Sequence, residues 1–465
     1  MTEKLHQLLS DSKAARWTAL LIVAFTMFAG YYMADLMAPL QGMLQKQLGW
    51  NSTDYGWFTG AYGWFNVFLF FLIIGGIILD KMGVRFSGLT SAIVMVGGGS
   101  IKYWAITTHT LTGHSWHILF WTFPAQVWMA ALGYAIFGVG VEVAGITVTK
   151  VIVKWFRGHE MALAMGLQLA IARLGTALAL STSLPIAKKF GTVSAPLLIC
   201  LIMLCIGLLA YFVYTFSDKK LDASLAAARG TAEKSSEEEF HLKDIWYVIS
   251  NRGWWYLAIL CALFYSAVFP FLKYATSLMI NKFHVGENWA GLIPGLLPFG
   301  TILLTPLFGN VYDRKGKGAT IMIIGAILII LVHTLFSISM LNHWFIAVLL
   351  MIVLGIGFSL VPSAMWPSVA KIVPEKRLGT AYALIFWIQN LVALMFVPAL
   401  IGWVLDKYCV LSTAVVDGQT TTSYDYTKPM IIFTVIGLLS LVFAFLLKAE
   451  DKKKGYGLEL PNIKS

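Results

Sequence analysis

Charge is scarce in this 465-residue chain. Asp, Glu, Lys and Arg make up 12% of it and hydrophobic residues 58%, where soluble globular chains carry about 25% charged residues. Cysteine is scarce too. The four present (Cys200, Cys205, Cys261 and Cys409) have no metal-ligand spacing, and the first three lie in apolar runs, so they read as packing residues. There is no nucleophile–base set and no phosphate-cradling glycine loop, which argues against an enzyme and against an ATP-driven pump. No cofactor or metal is expected: His109, His114 and His117 in TTHTLTGHSWH read as a solvated loop. The N-terminus, MTEKLHQLLSDSKAAR, lacks a cleavable signal pattern, so the first apolar run is expected to be retained.

What the chain has in quantity is apolar sequence. Twelve runs long enough to span a bilayer fall at 17–44, 55–79, 86–106, 118–149, 159–187, 194–217, 254–281, 289–312, 319–340, 344–370, 377–405 and 428–448. Backbone groups in lipid must be satisfied within the segment, so an all-α membrane protein of twelve helices is expected. The natural division is a 1–16 N-terminus, a 17–217 six-helix bundle, a 218–252 linker, a 253–448 six-helix bundle and a 449–465 tail. Within the linker, FHLKDIWYVIS reads as a short interfacial helix.

Basic residues cluster on one side: the N-terminus, Lys81, Arg85, Lys150, Lys154, Arg157, the linker, Arg314, Lys315, Lys317, Lys371, Lys376, Arg377 and the tail. The other side has Lys46, Lys102, Lys188, Lys189, Lys282, Lys407 and Lys428. By the positive-inside rule both termini are cytoplasmic. The same bias accounts for the net charge of +11 without nucleic acid as a partner.

The loop after the second run, GGIILDKMGVR, repeats after the eighth as GNVYDRKGKG. Gly76, Asp80, Lys81 and Gly83 thus match Gly309, Asp313, Arg314 and Gly316, and a further base follows in each loop, Arg85 in the first and Lys317 in the second. Glycine permits tight backbone approach there, and Asp can cap a helix start or pair with a base.

Three charges stand out inside the runs: Asp35, Glu142 and Arg173. Intramembrane charges point to function by default, the bland reading being a structural salt bridge. The midpoint of 142 and 173 falls between Arg157 and Gly158, in the turn joining runs four and five, so Glu142 and Arg173 sit at equal depth. Both are about 20 Å from that turn, near the bilayer middle. The expected empty state has each charge satisfying the other. Aligning the halves sets Asn390 opposite Arg173, Gln389 opposite Ala172 and the neutral Ser359 opposite Glu142. A Glu–Arg pair suits a zwitterion, which can insert without stranding either charge, and Arg grips carboxylates bidentately. The runner-up is a proton switch at Glu142. Pro362 and Pro367 in run ten, Pro270 in run seven, and Pro294, Pro298 and Pro306 in run eight mark helix breaks and candidate gates. Tyr31, Tyr32, Tyr62, Trp64, Gln168 and Trp366 are candidate cavity residues, Trp366 foremost. Lys273 reads as snorkelling outward, with an outer gate to Asp35 as the alternative.

Twelve runs in two halves, a central linker and the doubled loop resemble the major facilitator superfamily, which implies two bundles rocking about a central site. YYMADLMAPLQ, the 137–175 stretch and SAMWPSVAKIVPEKRLGTAYALIFWIQNL are similar to the lysosomal dipeptide transporters of that superfamily. The resemblance implies that Glu142 holds the ammonium and Arg173 the carboxylate of a dipeptide, and that transport is uniport. It also implies a glycosylated accessory subunit, which this reading does not carry over; a monomer in contact with membrane lipid is expected. Glu3 with Leu8–Leu9 is one residue out of register for an acidic dileucine sorting signal. A prokaryotic plasma membrane is therefore expected, with the lysosomal membrane as the alternative. Two other functions stay open: a carrier of another small zwitterion or organic anion, with or without proton coupling, and a non-transporting receptor or scaffold.

Overall fold

A computed structural model describes residues 9–118, 121–156, 159–229, 242–374, 377–416 and 419–462. Eleven helices are long and apolar enough to cross a membrane, and a bent pair makes a twelfth crossing. They are α1 (Lys13–Leu48), α2 (Ser52–Phe68 with Phe71–Leu79), α3 (Lys81–Thr107), α4 (Ala125–Phe156), α5 (Met161–Phe190) and α6 (Ser194–Arg229) in the first half. In the second half are α7 (Arg252–Asn281), α8 (Glu287–Lys315), α9 (Gly318–Ser337), α10 (Trp344–Ile372), α11 (Leu378–Tyr408) and α12 (Thr427–Lys454).

Several spans are broken where the sequence offers a reason. Regular helix in α1 ends at Asp35; a 3-10 turn over Ala38–Leu40, with Pro39 in it, precedes Gln41–Leu48. The two pieces of α2 meet at 58°, with Phe70 in the left-handed region at φ 53°. The start of α2 is fixed by a capping box: Asn51 accepts from the Asp54 backbone N–H at 2.8 Å, and Asp54 accepts from the Asn51 N–H at 3.2 Å. In α11, Asn390–Phe396 is π-helical, the kind of local widening often found at functional sites.

Two features depart from a purely helical reading. Antiparallel hairpins close two loops on the face away from the linker: β1 (Ser115–Ile118) with β2 (Trp121–Pro124), and β3 (Val410–Val416) with β4 (Gln419–Tyr424). The first takes Ile118 and Trp121–Pro124 out of the expected fourth span. On the linker side, α6 continues past 217 because Asp218 is buried and tied. It accepts from Lys154 Nζ at 2.7 Å, Trp155 Nε1 at 3.2 Å and Tyr214 O–H at 2.9 Å. Further along, Leu242–Ile249 forms the expected short helix, with Trp246 exposed. Glu3, Leu8, Arg157, Gly158, Lys376 and linker residues 230–241 lie outside the described residues.

The doubled loop is braced differently in each half. Its later glycines both need positive φ, 77° at Gly83 and 68° at Gly316. In the first half Arg85 reaches Asp222 at 3.1 Å and Asp218 at 3.8 Å, and Lys154 reaches both acids at 2.7 Å; the Asp80 side chain lies outside the described set. In the second half the chain end straps the loop. Asn462 donates to Asp313 Oδ1 at 2.7 Å, the Lys317 and Gly318 N–H groups donate to the Glu459 and Leu458 carbonyls, and Glu459 accepts from Thr320 N–H at 2.9 Å.

The halves meet at the end remote from the linker. A Cβ on Gly402 of α11 would lie 2.1 Å from the Ser52 carbonyl oxygen. One on Gly56 or Gly60 of α2 would come within 2.7 or 2.6 Å of the Pro398 or Met395 carbonyl. Glycine is what lets these backbones touch. Asp406 accepts from the Ser52 and Thr53 N–H groups, and Lys188 pairs with Glu287.

Candidate functional site

Between the halves lies a cavity of about 710 Å³. Its wall runs from Asp35, Thr176 and Lys273, near the sealed end, to Gly166, Gly309 and Pro367, near the ends of α5, α8 and α10 on the linker side. Pro298 and Pro306 of α8 and Pro362 and Pro367 of α10 all line it. The broken helices therefore border the chamber, where freed backbone groups are tolerated.

Of the residues singled out from the sequence, Asp35, Tyr62, Glu142, Arg173, Trp366, Gln389 and Asn390 are on this wall, and so is Tyr31. Gln168 is half-buried and off it. Tyr32 bonds Thr182 at 2.8 Å, Trp64 packs on Trp128 at 5.1 Å between ring centroids, and Ser359 is buried against the Gly355 carbonyl. None of those three faces the cavity.

Glu142 and Arg173 do not pair with each other, contrary to the expected empty state. Glu142 accepts a hydrogen bond from Tyr62 O–H at 2.9 Å. The Arg173 guanidinium carbon lies 5.9 Å from the Tyr31 ring centroid and 5.6 Å from that of Phe358. It is flanked by one ring from each half, within cation–π range. Among the described residues no carboxylate accepts from it. Equal depth in a hairpin fixes height but not the direction in which each helix points its side chain. Here the two charges share a wall while aromatic groups hold them apart.

The charge pair that does form is Asp35 with Lys273, at 2.7 Å. Lys273 also donates to the Ala34 carbonyl at 2.9 Å, and Thr176 O–H donates to Asp35 at 2.8 Å. Lys273 does not snorkel outward; it crosses from α7 to the broken end of α1. Carbonyls at a helix C-terminus lack intrahelical donors and attract cations, which is the local reason it docks there. Lys102, counted above with the outer-side charges, is fully buried inside α3.

The second half contributes mostly rings and amides. Trp366 stacks on Phe386 at 4.8 Å and donates to Tyr265 O–H at 3.2 Å. Asn390 donates to the Phe386 carbonyl at 3.0 Å, while its own Oδ1 is buried with no partner. Sequence reasoning missed Tyr134, Tyr265 and Phe358 on the wall. Nothing separates such aromatics from lipid-facing ones in a run that is apolar throughout; only Phe358, next to Ser359 in the half-to-half alignment, carried a positional signal.

Residues 20–398 match the model of the Major Facilitator Superfamily. The chain belongs to this superfamily. It is a membrane transporter of small molecules and not an enzyme. Over 406 residues it is 28% identical to the lysosomal dipeptide transporter MFSD1 of Danio rerio, covering 84% of this chain and 81% of that protein. The Homo sapiens protein of the same name is 28% identical over 405 residues, with 85% and 81% covered. Among solved structures, a bacterial homologue of the human lysosomal transporter Spinster, inward-facing and unoccupied, superposes with a TM-score of 0.69 at 12% identity. That match covers 95% of this chain and 98% of the other. A D-xylose–proton symporter gives 0.66 at 14% identity, over 92% and 97%. At these identities the structural matches establish the fold alone.

Proposed function

We propose that this transporter carries dipeptides by alternating access, with Glu142 receiving the ammonium and Arg173 the carboxylate. The observation that carries this reading is that the two charges share one chamber yet leave each other free. Tyr62 orients the Glu142 carboxylate with a single hydrogen bond. Arg173 is steadied by ring faces that use none of its N–H donors, so its bidentate fork is available to a carboxylate. A zwitterion supplies the missing partner at each end, and no charge is left bare in the membrane. The 28% identity to dipeptide transporters over most of the chain supports the substrate class. Each added residue lengthens an extended peptide by about 3.5 Å. A clamp set for dipeptides therefore disfavours free amino acids, and it admits tripeptides only when they fold or shift.

The test is dipeptide flux in proteoliposomes, with and without a pH gradient, repeated for Glu142→Gln and Arg173→Lys. Both variants lose flux; the Lys variant keeps the charge and loses the fork. Equal transport of an N-acetylated, C-amidated dipeptide, or normal flux in both variants, would return the two charges to a structural role. The pH-gradient arm distinguishes uniport from proton symport through Glu142. Fractionation of the source cells decides between the plasma membrane favoured by the displaced dileucine and the lysosomal membrane named for the relatives.

A further inference from the structure

Lys102 is the charge that the transport chamber leaves unexplained. It is fully buried on α3 and is not on the cavity wall. Its ammonium has three N–H donors, yet among the described residues its only oxygen acceptor is the Met33 carbonyl, at 3.3 Å. Met33 sulfur stands at 3.9 Å, and the rest of its surroundings include the rings of Tyr134 and Phe58, at 4.5 and 5.3 Å. A buried charge with so few partners is costly and calls for a reason.

That reason lies one residue along α1. Lys102 grips the carbonyl of Met33, and Lys273 grips the carbonyl of Ala34. The two lysines hold consecutive carbonyls of the same broken helix end, one from each half of the protein. Tyr134 joins them: its hydroxyl donates to Ala34 O at 2.6 Å, and its ring carries Lys102. Asp35, the next residue, is committed to Lys273 in this closed far face. Alternating access separates the halves at that face, and Lys273 leaves with the second half. Asp35 stays with the first half, and so does Lys102.

We propose that Lys102 is the second partner of Asp35. When the far face opens, the carboxylate passes from Lys273 to Lys102, so the acid of the gate is paired in both states of the cycle. Lys102 is then a positioning residue for the gate, acting through Asp35 and touching no substrate. A flexible four-carbon stem and a single carbonyl anchor leave it free to make this exchange. The inference rests on the rocking of the two halves and is independent of the dipeptide reading.

The experiment reads the conformational equilibrium of the substrate-free full chain by spin-label distances between the exposed far-face positions Thr110 and Asn342. Lys102→Met lowers the far-face-open fraction at least tenfold in the native background. It has no such effect when Asp35 is already Asn, because there is no longer a carboxylate to receive. An unchanged equilibrium, or an equal shift in both backgrounds, overturns the proposal and assigns Lys102 to packing. Because removing a buried ammonium can impair folding, a second measurement keeps the native lysine. A chain with Lys102 and Asp35 unchanged is locked far-face-open by a disulfide engineered between α5 and α8 across the linker-side mouth, and its structure is determined. Lys102 Nζ is expected in ion-pair contact with the Asp35 carboxylate; a lysine still on Met33 O beside a solvated Asp35 overturns the exchange.

Discussion

Gly402→Ala tests whether the sealed end of the cavity is a moving gate. In the structure the added Cβ would fall 2.1 Å from the Ser52 carbonyl oxygen and 2.9 Å from the Tyr274 hydroxyl. Ordinary contact for a Cβ begins near 3.4 Å, so the start of α2 must retreat by about 1.3 Å. Neither neighbour yields cheaply: one is backbone held by the Asn51 capping box, and Tyr274 O–H is fixed to the Pro398 carbonyl at 2.8 Å. Overpacking of this kind costs about 1–3 kcal/mol. The clash exists only while the far face is shut, so the whole cost acts on the equilibrium between states. That shifts it roughly 5- to 150-fold toward the far-face-open form. The assay is the distance distribution between labels at Thr110 and Asn342 in purified protein. Gly97→Ala serves as control, since nothing lies within 4 Å of its added Cβ. A correctly folded Gly402→Ala protein with the wild-type distribution would refute the reasoning, because the contact would then persist in both states.

Three further outcomes follow from named contacts. Tyr62→Phe removes the one hydrogen bond to Glu142; bonds to charged groups contribute about 1.5–3 kcal/mol, so KM for dipeptide flux rises roughly tenfold or more while the maximal rate changes little. Asp218→Asn strips the buried acid that binds Lys154, Trp155 and Tyr214; breaking a buried pair costs about 3–5 kcal/mol, read as a clear fall in Tm by tryptophan fluorescence. Glu459→Ala removes the side-chain cap on the first turn of α9; loss of about 0.5–2 kcal/mol is expected, and Glu459→Gln recovers part of it because its amide oxygen still accepts from Thr320.

The sequence disclosed what depends on counting along the chain. Hydropathy placed the crossings, and hairpin symmetry put Glu142 and Arg173 at equal depth; that both line one chamber came from the structure. What it withheld depends on rotation about helix axes. Depth arithmetic could not say that Glu142 faces Tyr62, or that Arg173 sits between Tyr31 and Phe358. Lys273 was ambiguous for the same reason: a lysine with an apolar stem can reach outward or across, and only the open carbonyls at the end of α1 decide. Lys102 was misread because IKYWAI closes an apolar run, where a lysine usually snorkels; here the aromatic rings of α2 and α4 surround it instead. The second hairpin did carry a local signal. Asp417-Gly418 lies between VLSTAVV and QTTTSY, a dipeptide well suited to a tight turn.

The wall of the chamber carries two acids, Asp35 and Glu142, and two bases, Arg173 and Lys273. Their formal charges cancel. A membrane potential acts on each uncompensated elementary charge with about 2.3 kcal/mol per 100 mV. A zwitterion adds none, so loaded and empty carriers present the same charge to the field. Carriage of such a cargo by itself moves no net charge. Any current measured during transport therefore reports a co-transported ion directly.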